Sequence, residues 1–339
     1  MIAEKTLNQT LHVAKSSKKD EFYTQLSDIE SELKHYKAHF RNKVVFCNCD
    51  DPRNSNFFNY FVCNFENLGL KKLITTCYKN QEQDLFVQKV PENAVFIEYE
   101  GDKNKSKIFD AAERFAVAIG IKKLKGDGDF RSQESVELLK QSDIVVTNPP
   151  FSLFREYVEQ LIKYEKKFLI IGNINAITYK EIFKLIKENR AWLGINMGRG
   201  ISGFIVPDHY ELYGTETSID GFGNRIISPN NCLWLTNLET SKRQEDIILT
   251  KTYYGNEGEY PKFDNYDAIN VDKTKDIPMD YNGVMGVPIT FLHKFNPEQF
   301  ELIKFRKGNN EKDLSINGKC PYFRILIKNK KWQKSKQTD

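Results

Sequence analysis

The sequence predicts an α/β protein: a doubly wound, mostly parallel sheet followed by a loop-rich α+β C-terminal portion. Three observations carry that expectation. Between residues 28 and 198, short apolar runs of strand length alternate with segments of helical periodicity, the rhythm of βαβ units. Three loops of unusual chemistry, 47–52, 126–130 and 148–151, fall at or beside the ends of those runs, where open parallel sheets place their ligands. Beyond about residue 200 the rhythm fades into turns such as "YGTETSIDGFGNR" and "GNEGEYPKFDNYD".

Taken in order, Ser27-Asp28-Ile29-Glu30 has the form of a capping box. Ile29, Leu33, Tyr36 and Phe40 then recur at helical spacing and predict a helix over 28–40. "KVVFCNC" (43–49) predicts a strand that ends in the loop residues "DDPRNSN", and "FFNYFVCNFENLGL" predicts a helix and its exit. "KKLITTCY" and "AVFIEYE" (94–100) predict two further strands. "SQESVELLKQS" predicts a helix, and residues 143–147 a buried strand that runs into Asn148-Pro149-Pro150-Phe151. "FREYVEQLIKYEK" and "TYKEIFKLIKEN" continue as helices, with "KFLIIGNINAI" and "AWLGINMG" as strands. "NCLWLTNL" is expected as an isolated strand.

A chain of 339 residues is long enough for about two domains, and its 40% hydrophobic and 28% charged content is that of an ordinary globular protein. Apolar runs such as "FAVAIGI" are too short to span a bilayer, and the first twenty residues lack an apolar core and a small-residue cleavage site. The expected compartment is the cytoplasm, with no membrane partner. Six cysteines without a C-x-x-C pair predict reduced thiols and no metal site, and His35 and His39 have no companion ligands. The net charge of +4 is concentrated in "AKSSKK" (14–19) and "IKNKKWQKSK" (327–336), which suits a polyanion partner.

The Asn-Pro-Pro-Phe elbow is the chemically informative segment. Two prolines fix two φ angles and remove two donors. Asn148 offers a side-chain carbonyl and Pro149 a backbone carbonyl with no N–H of its own. Two acceptors about 3 Å from one point can hold both hydrogens of an exocyclic amine and leave its lone pair aimed at an electrophile. Phe151 supplies a flat surface for the ring that carries the amine. The electrophile suited to such a site is the sulfonium methyl of S-adenosyl-L-methionine, and a nucleobase in a duplex would be flipped out to reach it.

"NPPF" resembles the catalytic motif of the amino-methyltransferases that act on exocyclic nitrogens of DNA bases. The likeness extends, in the same order, through "KSSKKDEFYTQLSDIE" (15–30), "VVFCNCDDP" (44–52), "NLGLKKLI" (67–74), "GDGDFRSQES" (126–135), "SDIVVTNPPFSLFREY" (142–157), "SPNNCLWLTNL" (228–238) and "NGVMGVPITFLHKFNPEQFELIKFRKG" (282–308). Over nearly the whole chain it is similar to the EcoRI-type modification methylases. The resemblance implies the S-adenosylmethionine-dependent methyltransferase fold and methyl transfer to N6 of adenine in double-stranded DNA. It further implies the target GAATTC, modified at its second adenine, and a cognate restriction endonuclease as functional partner without a stable complex. Methylation of a hemimethylated palindrome requires only a monomer.

By the same resemblance Asn148, Pro149, Pro150 and Phe151 form the catalytic loop. Tyr23 and Thr24 of "DEFYTQ" touch the methionine part of the cofactor, and Asp129 and Phe130 hold its adenine. The chain departs from the wider class where Phe-x-Gly-x-Gly is usual. Cys47, Asn48, Cys49 and Asp50 stand there, so Asn48 and Asp50 are the polar candidates, and no glycine lets the backbone approach the cofactor. The usual ribose-binding acid is also missing from "ITTCYKN". Arg199, Lys294, Arg306 and Lys307 are the candidates for DNA contact. The expected organisation is a flexible basic arm (1–20), a methyltransferase catalytic domain (21–238) and a target-recognition portion (239–339). The residues alone leave open cytosine N4, an RNA base or a protein glutamine as the amine, and a catalytically inactive DNA-binding relative. A hydride-transferring enzyme is disfavoured by the missing G-x-G-x-x-G loop.

Overall fold

The computed structural model describes residues 23–78, 94–101, 120–206, 217–221, 223–228, 231–306, 314–321 and 323–332. The expected basic arm and Lys307 lie outside them. The chain divides into two compact units, the first from Met1–Ala176 and Gly194–Leu238, the second from Ile177–Leu193 and Glu239–Asp339.

In chain order the strands are β1 Tyr23–Thr24, β2 Val44–Asn48, β3 Lys72–Thr76, β4 Val95–Tyr99, β5 Lys122–Lys123, β6 Ile144–Thr147, β7 Lys167–Asn173 and β8 Trp192–Met197. There follow β9 Phe204–Val206, β10 Thr217–Ile219, β11 Arg225–Ile227, β12 Cys232–Thr236, β13 Ile269–Asn270, β14 Val284–Pro288, β15 Phe300–Arg306 and β16 Arg324–Asn329. The helices are α1 Leu26–Leu33, α2 Asn56–Cys63, α3 Phe65–Leu68, α4 Gln133–Gln141, α5 Phe154–Lys163 and α6 Lys180–Lys187.

The large sheet has the order β5-β4-β3-β2-β6-β7-β12-β8. Its centre is parallel: β2 pairs in parallel with β3 and β6, and β6 with β7. Its flanks are not. β4 runs antiparallel to β3 and β5, and β12 runs antiparallel to β7. The expectation of a doubly wound, mostly parallel sheet is therefore corrected to a mixed α/β sheet. Antiparallel neighbours need no crossover helix, which is why the βα rhythm marks only the central strands. "NCLWLTNL" is likewise not isolated, because Trp234 of β12 sits opposite Ile171 of β7 and is fully buried.

β2 and β6 are buried at every position, as strands covered on both faces must be. α2 begins at Ser55, whose hydroxyl accepts from the N–H groups of Phe57 and Phe58, and it buries Phe57, Phe58, Tyr60 and Phe61. Gly69 closes α3 in the left-handed conformation. α1 is shorter than its periodicity suggests. Its N-cap is Gln25, not Ser27, and after Leu33 the chain tightens into i−3 hydrogen bonds, Tyr36 to Leu33 and His39 to Tyr36. Ile29, Leu33, Tyr36 and Phe40 are nonetheless all buried, so the periodicity reports the core face and not an unbroken helix.

Buried carboxylates of α1 hold the end of β8 and the segment that follows it. Glu32 accepts from the backbone of Ile195 and Asn196, from Asn196 Nδ2 and from Tyr36 Oη. Asp28 accepts from Ser202 N and Oγ. Beside this segment β1, β9, β11 and β10 form a small antiparallel sheet. In the second unit, β13-β14-β16-β15 form a third sheet, on which α6 places Phe183 against Phe305 with ring centroids 5.7 Å apart. Among the described residues no helix is long and apolar enough to cross a membrane.

Candidate active site

Three of the central parallel strands end together, at or beside segments singled out by the sequence. β2 ends at Asn48, which is aligned with Thr76 at the end of β3, and β6 ends at Thr147, immediately before the elbow. After Asn48, Cys49 turns the chain with φ +69. That is the left-handed conformation a glycine usually supplies, so the turn is made here without one, at a backbone cost of about 1–2 kcal/mol. Asp50 then donates its N–H to Thr76 O at 2.9 Å.

The Asp50 carboxylate faces inward. The residue is buried, Ser55 Oγ donates to its Oδ1 at 3.0 Å, and Thr147 Oγ1 contacts its Oδ2. The backbone N–H of Asn148 also donates to this carboxylate. Burial pushes the Asp50 carboxyl up to about 7, opposed by those hydrogen bonds. Thr147 Oγ1 also reaches Asn48 O. Asn48 is buried too, its Oδ1 accepting from the hydroxyl of Tyr157 on α5. Burial drives the Tyr157 phenol and the Cys47 and Cys49 thiols well above their ordinary ranges, so all three are neutral.

At the elbow, Pro149 is buried, Asn148 is half-buried with its Oδ1 shielded from solvent, and Pro150 leads into a single 3₁₀ turn, Phe151–Leu153. Phe151 packs edge-on against Phe204 of β9 with ring centroids 6.1 Å apart. Phe204 is also the register partner of Thr24. The carbonyl of Thr24 accepts from Asn56 Nδ2 at 2.9 Å, in the first turn of α2 beside Ser55. The Thr24 hydroxyl oxygen is buried and has no hydrogen-bond partner among the described residues.

The fourth element is the turn 126–130. Gly128 has φ +79, and a Cβ there would lie 2.2 Å from Cys77 O, so the turn is drawn against the end of β3. Phe130 stands edge-on to Tyr157 at 5.0 Å, and its carbonyl accepts from Gln160 Nε2 at 3.0 Å. Arg131 binds both carboxylate oxygens of Asp129, at 2.9 and 2.7 Å, and this hydrogen bonding holds the Asp129 carboxyl below its ordinary range. Oδ1 also accepts from the backbone N–H of Arg131 at 2.8 Å, so it is Oδ2 that keeps a lone pair for a further donor.

The elbow, Asn48, Asp50, Thr24 and Phe130 are thus linked within the first unit through Thr147, Tyr157, Phe204 and Asn56, and Tyr23 and Asp129 are the chain neighbours of Thr24 and Phe130. The DNA-contact candidates are not gathered in this way. Arg199 is exposed in a 3₁₀ turn of the first unit, held between the anchored residues Asn196 and Ser202. Lys294 is exposed in the second unit, and the Arg306 guanidinium lies 5.9 Å from the Tyr266 ring centroid. Sequence reading missed Thr147, Tyr157, Asn56 and Gly128. Of these only Gly128 left a signal, a glycine inside an acidic turn. Among the described residues no group of three or more His, Cys, Asp or Glu side chains is placed to hold a metal ion.

No solved structure matches the chain. A relative from Escherichia coli, the type II methyltransferase M.EcoRI, is 67% identical over 333 residues, covering 98% of this chain and all of that protein. Two mycoplasma proteins are more distant. The type II methyltransferase M.MgeORF184P of Mycoplasma genitalium is 40% identical, covering 93% of this chain and 97% of its own. M.MpnI of Mycoplasma pneumoniae is 37% identical, covering 93% and 96%. The model of one family, described as the adenine-specific methyltransferase EcoRI, matches residues 10–330. A family match over residues 10–330 and 67% identity over nearly the whole chain show that the chain belongs to the EcoRI family of adenine-specific methyltransferases.

Proposed function

We propose that the chain transfers a methyl group from S-adenosyl-L-methionine to N6 of the second adenine of GAATTC in duplex DNA, and so protects that DNA from a cognate restriction endonuclease. The observation that carries the reading is the elbow itself, a rigid Asn-Pro-Pro-Phe at the end of β6 whose first peptide is tied to the neighbouring strand end. The identity of 67% to M.EcoRI over almost the whole chain supports the same target.

The residues present fit the cofactor. The buried Thr24 hydroxyl oxygen needs a partner, and a bound ligand in contact with β1 supplies one. Asp129 accepts a further donor, such as an adenine amine, and the Phe130 ring borders the same turn. When bound, S-adenosylmethionine supplies an electrophilic methyl group. The protein's part is positioning. Asn148 Oδ1 and the Pro149 carbonyl accept the two N6 hydrogens, which keeps the nitrogen lone pair out of ring conjugation, and Phe151 stacks on the flipped base. The inward-turned Asp50 and Asn48 contribute to the walls of the site. The first unit is the catalytic portion and the second the target-reading portion; Arg199 of the first unit and Lys294, Arg306 and Lys307 of the second contact phosphates or base edges. We take the enzyme to act as a cytoplasmic monomer.

Asn148→Ala tests the reading. It is expected to lower methyl transfer by at least about 10²-fold, the scale of a lost positioned acceptor, with duplex affinity retained within a few-fold. Activity near wild type would remove Asn148 from the chemistry.

A further inference from the structure

We propose that Asp50 is a positioning residue: its buried carboxylate joins the turn after β2 to the catalytic elbow and sets where the Asn148 side chain stands, without touching the cofactor. This rests on the amine-clamp reading of the elbow given above. Three contacts converge on the group. Ser55 Oγ, the cap of α2, donates to it at 3.0 Å, the Thr147 hydroxyl reaches it from the last residue of β6, and the Asn148 backbone N–H donates to it. Ser55 is five residues from Asp50 in sequence and Thr147 is 97, and the contacts meet at the first residue of the elbow. A carboxylate in that place fixes the Asn148 peptide plane, and with two prolines following, that plane determines the direction of both proposed acceptors.

Proton counting gives the device a second property. The Thr147 hydroxyl contacts both Asn48 O and Asp50 Oδ2 but has one proton to donate. With Asp50 protonated, the carboxyl donates to Thr147 and Thr147 donates to Asn48. With Asp50 ionised, Thr147 turns its proton to the carboxylate and the Asn48 carbonyl loses it. Thr147 is therefore tied to Asp50 alone or to both Asp50 and the Asn48 carbonyl, according to the proton on Asp50.

The test compares Asp50→Asn, Thr147→Val and Thr147→Ser in the full chain. Single-turnover methyl transfer to a GAATTC duplex is measured together with equilibrium affinity for S-adenosylmethionine. A positioning role predicts that Asp50→Asn and Thr147→Val slow transfer by about 10- to 100-fold with cofactor Kd changed less than about threefold, the signature of misplacement and not of lost binding. Thr147→Ser, which keeps the hydroxyl, recovers turnover relative to Thr147→Val. Near-normal transfer in Asp50→Asn, or a loss of cofactor affinity as large as the loss of rate, overturns the inference. A wild-type protein inactive on the duplex would instead strike at the reaction itself, so the two failures are told apart. If Asp50→Asn does not fold, the two Thr147 variants decide alone.

Discussion

Replacing Gly128 with alanine probes how tightly the acidic turn is built. The added Cβ would meet the carbonyl oxygen of Cys77 at 2.2 Å and Ala94 Cβ at 2.9 Å. Neither neighbour can rotate away, because one is backbone and the other is a Cβ itself. Both segments are pinned: Cys77 N donates to Val95 O at 3.1 Å and Leu124 N donates to Ala94 O at 2.8 Å. Alanine at φ +79 also costs about 1–2 kcal/mol of backbone energy. Overpacking of this kind adds about 1–3 kcal/mol. Together these predict a destabilisation of about 2–5 kcal/mol, with the turn pushed off the end of β3 and Asp129 and Phe130 displaced. Urea unfolding gives the first quantity and calorimetric titration with S-adenosylmethionine the second. Gly128→Ala with the wild-type midpoint would refute the packing argument. Lost stability with unchanged cofactor affinity would refute the placement of the cofactor beside this turn.

Three further outcomes follow from the same geometry. Tyr157→Phe leaves Asn48 Oδ1 without its buried donor and should cost about 1–3 kcal/mol in urea unfolding, whereas an unchanged midpoint would show that the hydroxyl contributes nothing there. Glu32→Ala strands the N–H groups of Ile195 and Asn196, so the first unit should lose about 2–5 kcal/mol, and a loss under about 0.5 kcal/mol would contradict the anchoring role. Asp50 predicts a pH dependence with a definite sign. Its folded carboxyl is pushed up to about 7 from 3.8, so between those values the unfolded chain is ionised while the folded chain keeps the proton. Stability from this group is full below pH 4 and falls as pH rises to 7, by about 4 kcal/mol in total. Its neighbours Cys47, Cys49 and Tyr157 stay neutral in that window, and Asp51 is paired with Arg53 at 2.5 Å. Between pH 5 and pH 8 the wild type should lose about 3 kcal/mol relative to Asp50→Asn. Parallel profiles would contradict it.

What the sequence made legible was local. The elbow could be read because two prolines and their flanking residues determine their own geometry, whatever surrounds them. The buried periodicity of Ile29, Leu33, Tyr36 and Phe40 is similarly a near-range property. The inward turn of Asp50 was not legible. It depends on Thr147, 97 residues away, being set beside it by the parallel pairing of β2 with β6. The same holds for β12, whose continuous apolar run suits a buried strand in either direction and so says nothing of its antiparallel place beside β7. Cys49 shows a third limit: no local signal marks a cysteine as the residue that takes the left-handed turn after β2.

The central claim is the reaction. Its most direct test is methyl transfer from labelled S-adenosylmethionine to two duplexes, one holding GAATTC and one with the central bases scrambled. The account predicts label on the first duplex alone, recovered as N6-methyladenine. Label on neither, from protein shown to bind the cofactor, would contradict it.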